Sequence, residues 1–109
     1  MNFYRVAESY PAGSDEYNEV FETMVRLYPD DATANLNASN VAMSRGDLVS
    51  ARKYVAKAGG TPEAVYARGV LAGLDKDYVQ ARRLLSQAQS MGVKEAADAL
   101  EQINKIDKK

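Results

Sequence analysis

The 109-residue chain contains no cysteine, no histidine and no tryptophan. That excludes a disulfide framework, thiol nucleophiles, Cys/His zinc sites and every Ser-His or Cys-His catalytic pair. Neither sign of charge dominates: 14 Lys and Arg stand against 15 Asp and Glu, for a net charge of −1, so no global field draws the chain to nucleic acid or to an anionic membrane. No apolar run approaches the roughly 18 residues that mark a membrane span. The first residues, Met1-Asn2-Phe3-Tyr4-Arg5, also lack a basic head followed by an apolar stretch. Two locations fit: the cytoplasm, or the cell envelope or periplasm if the sequence is a piece of a longer exported protein. With 46% hydrophobic and 27% charged residues, the composition is that of one globular domain.

The charges are unevenly spread. Residues 1–31 hold seven acids and two bases, whereas residues 32–83 hold eight bases and four acids. A second pattern is stronger. Sliding the sequence by 30 residues pairs Ala34 with Ala64, Ala42 with Ala72, Asp47 with Asp77, Val49 with Val79, Ala51 with Ala81, Arg52 with Arg82 and Ala58 with Ala88. Val41 meets Leu71 and Val55 meets Leu85 in the same register. Such internal repetition is the signature of a stacked repeat architecture.

Each copy reads as two helices and a tight turn. Arg45-Gly46-Asp47 closes one helix and opens the next, with Gly46 suited to a left-handed C-terminal position and Asp47 to an N-cap. Asp75-Lys76-Asp77 does the same in the second copy. A lysine where glycine is easiest predicts a strained or differently shaped turn. Gly59-Gly60 followed by Thr61-Pro62-Glu63 marks a helix stop and a helix start. Apolar stripes with helical spacing run through Tyr17, Val20, Phe21, Met24, Leu27 and Tyr28, through Leu48, Ala51, Val55 and Ala58, and through Tyr78, Ala81, Leu85 and Ala88, with Leu84 and Met91 broadening the last. A final helix carries Ala96, Leu100 and Ile103 on one face. Helices are expected over 3–9, 15–28, 32–45, 48–58, 62–74, 78–90 and 94–105, with no strand, because no segment alternates with period two.

An early alanine, a small residue mid-helix (Ser39, Gly69), a Gly-Asp or Lys-Asp turn, and second-helix alanines seven apart around Val or Leu together resemble the tetratricopeptide repeat. The resemblance implies an all-α, right-handed α-α superhelix of antiparallel helix pairs with a C-terminal capping helix. Within a single domain over 1–109, residues 1–31 correspond to a partial preceding repeat, 32–61 and 62–92 to repeats, 93–106 to the cap and 107–109 to a tail. The 30-residue period is shorter than the usual ~34, and Asn35 and Val65 stand where the family places an early aromatic. The run from Tyr28 to Ala38 is also similar to the helical tail of bacterial cell-envelope proteins with an OmpA-like part.

In that family the first helix of each pair lines a concave surface that grips a peptide. The resemblance therefore implies that Leu36, Asn37, Asn40, Met43 and Ser44 face Tyr66, Ala67, Val70 and Leu74 as a mixed groove for a protein or peptide partner. The competing account of Leu36, Met43, Tyr66 and Val70 is burial by neighbouring helices. Members that clamp a terminal carboxylate use Lys, Asn and Arg on these helices. Here only Asn40 has a counterpart, so chaperone-tail binding is not expected. Asn35, Asn37 and Asn40 are poor helix-interior residues, and hydrogen bonding to a nearby loop or helix end is the favoured reason for them. Arg52-Lys53 and Arg82-Arg83 recur in register, but without interleaved aromatics they read as solvated charge rather than a nucleic-acid surface. No phosphate loop, metal-spaced acids or nucleophile motif is present. The expectation is a non-enzymatic scaffold or protein–protein interaction module of a larger envelope protein, without cofactor, metal or membrane insertion. The alternative is a self-associating module forming a homodimer.

Overall fold

The computed structural model describes residues 9–107 apart from residue 12. Among these residues there are six helices and no strand: α1 (Asp15–Leu27), α2 (Ala32–Ser44), α3 (Leu48–Ala56), α4 (Pro62–Leu74), α5 (Tyr78–Ser90) and α6 (Glu95–Ile106). The expected helix over 3–9 lies outside the described residues save Ser9, which sits in a turn. The chain divides between Gly59 and Gly60 into two compact units, the first holding α1 to α3 and the second α4 to α6.

Local chemistry sets the helix starts. Ser14, Asp31, Asp47, Thr61 and Asp77 are N-caps whose side-chain oxygens accept from the backbone N–H three residues on. Each thereby satisfies one of the orphan donors of a helix start. Pro62 occupies the first turn of α4, where its missing N–H costs nothing.

The turns inside the two pairs α2–α3 and α4–α5 are the same structure. Asp47 N–H donates to Ala42 C=O at 2.9 Å and Gly46 N–H to Met43 C=O at 3.0 Å. Asp77 N–H to Ala72 C=O and Lys76 N–H to Gly73 C=O repeat those lengths. These are the paired bonds of a Schellman motif, which needs a left-handed residue at its centre. Gly46 has φ 75° and Lys76 has φ 64°, and Lys76 is the one non-glycine with positive φ among the described residues. The turn therefore keeps its shape and the lysine carries the strain.

In the first unit Phe21, Met24, Val25, Ala34, Ala38 and Val41 form the core, with Tyr17, Val20 and Tyr54 packed against it. Tyr17 meets Phe21 edge-on, with ring centroids 5.0 Å apart. Leu27 and Tyr28 depart from the expected stripe and are exposed, while Val25 is buried. Leu27 lies about 120° around the helix from Phe21. Tyr28 ends the helix with φ −128°, which carries its ring off the core face.

The second unit has two apolar clusters. Val65, Ala88 and Ala96 form one, and Ala81, Leu85 and Ile103 the other. Met91 is the C-cap of α5 and is exposed rather than part of the stripe. Ala51 on α3, Ala81 and Ala88 on α5, and Ala58, which lies just past the end of α3 and not inside the expected 48–58 helix, are at most 1% exposed. Small side chains there let the paired helices approach closely.

The closest approach differs between the pairs. Ser39 is buried on α2 and its hydroxyl donates to Ala51 C=O at 3.0 Å, tying α2 to α3. Its counterpart Gly69 has no side chain, and a Cβ built there would lie 2.8 Å from Leu85 Cγ and Cδ2. Leu85 in turn replaces the smaller Val55. Volume lost on one helix is returned by the other.

Candidate binding surfaces

The residues expected to line a groove divide between the two units. On α2, Leu36, Asn37 and Met43 are half-buried, and Asn40 and Ser44 are exposed. The Ser44 hydroxyl is turned back to Val41 C=O at 2.7 Å, which takes it up within its own helix. Asn37, Asn40 and Ser44 share a cleft of about 200 Å³ with Tyr17, Asn18, Phe21 and Val41. Three apolar or aromatic faces and four amides or hydroxyls thus meet between α1 and α2.

On α4, Leu74 is exposed, Ala67 is buried and Tyr66 and Val70 are half-buried. Tyr66 packs against both apolar clusters of the second unit and Val70 against one. Much of the surface of these two residues is therefore used inside their own unit.

Asn35 answers the question of why an asparagine sits early in α2. It is 1% exposed, and its side-chain amide donates to Pro29 C=O at 2.9 Å and to Asp31 C=O at 2.8 Å. Both amide hydrogens are spent on the loop between α1 and α2, the loop-binding role that the sequence favours.

A second cleft in the first unit was not visible in the sequence. It has a volume of about 510 Å³ and lies between α1 and α3, with Glu19, Glu22, Val25 and Arg26 on one wall and Lys53, Tyr54 and Lys57 on the other. Pro29 and Asn35 complete it. Its walls come from helices that are not consecutive, and no periodicity in a one-dimensional sequence links residue 19 to residue 57. Glu22 pairs with Arg45 at 2.8 Å, and this hydrogen-bonded carboxylate holds the Arg45 guanidinium above its ordinary value.

In the second unit Arg82 is committed to α6, donating to Asn104 Oδ1 at 3.1 Å and forming an ion pair with Asp107. Its charge is therefore taken up within its own unit. Among the described residues no three acidic side chains gather closely enough to hold a metal ion, and no helix is long and apolar enough to cross a membrane.

The architecture is that of an all-α protein whose helix pairs repeat in sequence and in local structure. No family model matches the chain, and no curated protein is similar to it.

Proposed function

We propose that the chain is a tetratricopeptide-like repeat module that binds a protein or peptide partner without catalysing a reaction, as a scaffold part of a larger cell-envelope protein. In this reading the helix pairs stack as a right-handed superhelix, α6 caps it, and Leu36, Asn37, Asn40, Met43, Tyr66, Val70 and Leu74 form the partner surface. One observation carries the reading: α2–α3 and α4–α5 reproduce caps, turn bonds and buried alanines at an offset of 30 residues. Such duplication is how repeat proteins build a binding face, because each hairpin covers the apolar side of its neighbour and leaves its first helix for a ligand.

The test uses exposed positions, so that folding is preserved. Unmodified chain and the Asn40→Ala/Leu74→Ala variant are compared as bait for extracts, with circular dichroism confirming equal helix content. The reading expects at least one partner to be lost from the variant, and identical recovery of every partner would reject it.

A homodimer is the second reading, favoured by two exposed valines. Val49 and Val79 occupy the same repeat position and are 62% and 78% exposed. Light scattering over a tenfold range of concentration separates this reading from the first: a constant monomer mass removes it.

A further inference from the structure

The cleft between α1 and α3 has the size of a ligand site, since pockets of roughly 300–1,000 Å³ bury most of a small group. Its charges do not cancel. Glu22 is neutralised by Arg45 outside the cleft, which leaves Glu19 as the one uncompensated acid on the walls. Against it stand Arg26, Lys53 and Lys57. Arg26 donates to the neutral Thr23 hydroxyl at 3.0 Å, so its charge is oriented and not cancelled. Lys53 and Lys57 are exposed and four residues apart, hence on one side of the end of α3. Lys53 interacts through space with Asp47 at the start of the same helix, without an ion pair. No ion pair joins the α1 wall to the α3 wall among the described residues.

Between these cations the cleft is apolar and partly aromatic, with Val25, Pro29 and the half-buried Tyr54 ring. A carboxylate between Arg26, Lys53 and Lys57 gains charge-assisted hydrogen bonds, and an apolar neighbour in the ligand gains contact with Tyr54 and Val25. A nucleic-acid strand is a poorer fit. It brings a charge at every nucleotide against Glu19 and finds one aromatic ring where successive bases need several. We propose that this cleft binds an acidic peptide segment, one in which glutamate or aspartate alternates with apolar residues. The site is separate from the α2 and α4 residues assigned to the partner surface, and neither proposal depends on the other.

Fluorescence anisotropy of a labelled Glu-Leu alternating peptide, titrated with the full chain at low salt, tests the proposal. Binding is expected, and Lys53→Glu/Lys57→Glu weakens it at least about tenfold through loss of two charge-assisted contacts. Lys94→Glu/Lys105→Glu, an equal change of net charge in the second unit, shifts it by less than about twofold because of screening. Glu19→Gln tightens binding. Should the first double variant lose helicity, Lys57→Gln alone is expected to weaken binding about threefold, consistent with a single exposed charge. The proposal is overturned if the peptide does not bind, if a Lys-Leu peptide binds as tightly, or if both double variants weaken binding equally. It is also overturned if a thymidine oligonucleotide displaces the peptide at a lower concentration than unlabelled peptide does.

Discussion

Lys76 and Gly46 occupy the same left-handed position in two turns with matching hydrogen bonds. A side chain with a Cβ pays roughly 1–2 kcal/mol to hold that conformation, and glycine gives back part of this through its freer unfolded chain. Lys76→Gly is therefore expected to raise stability by about 0.5–1 kcal/mol, read as a higher urea midpoint with an unchanged slope. The opposite exchange, Gly46→Lys, is expected to lower it. The space around Gly46 is open, so the effect reports backbone conformation and not a clash. Asp47 offers a test by pH. Its hydrogen bonds to Ser50, side chain first and then backbone, hold its carboxyl below the ordinary 3.8. A depressed folded-state value means that this contribution is complete above the unfolded value and is lost as pH falls through the folded one. Asp47→Asn keeps a good cap and removes the titration, so thermal melts of the variant are expected to show a shallower loss of stability below about pH 4 than the unmodified chain.

At the scale of the element, each helix pair meets its closest approach with a different pair of residues. Gly69→Ala sets a methyl 2.8 Å from Leu85 Cγ and 3.2 Å from its backbone nitrogen, which cannot retreat cheaply. The expected loss is about 1–3 kcal/mol. Leu85→Val alone leaves a small cavity, costing about 0.5–1.5 kcal/mol. Combined, the two changes imitate the Ser39 and Val55 arrangement of the first unit, so the double variant is expected to be more stable than the sum of its parts. A thermodynamic cycle from denaturant melts measures that coupling. Gly73→Ala serves as the contrast: its Cβ would approach closely only Ile103 Cδ1, the far end of a side chain, at 2.8 Å, with Ala81 Cβ and Ile103 Cγ1 at an ordinary 3.9 Å. Helix starts were readable in the sequence at Asp47, Thr61 and Asp77, whose side chains act over three residues. Caps of this kind need no tertiary context. Leu27 and Met91 were not readable as exposed, because spacing alone does not show where a helix stops turning toward its partner.

For the whole molecule the near balance of charge has its own consequence. With a net charge of −1 at pH 7 and an isoelectric point near 5.4, repulsion between molecules is weak and vanishes on mild acidification. Solubility in low salt is expected to pass through a minimum near pH 5.4, as turbidity across a pH series would show. The division into two compact units falls between Gly59 and Gly60, where the sequence already places a stop and a start. The α1–α3 cleft was hidden for the opposite reason. Its charged walls are brought together by three helices packing in sequence order, α1 on α2 and α2 on α3, and only the folded chain puts Glu19 across from Lys53 and Lys57. The buried amide of Asn35 bears on what the first unit tolerates. Its nitrogen is pinned between two carbonyl oxygens, and an aspartate in its place would set a carboxylate against both. Asn35→Asp is therefore expected to loosen the loop that joins α1 to α2, read as a lower thermal midpoint.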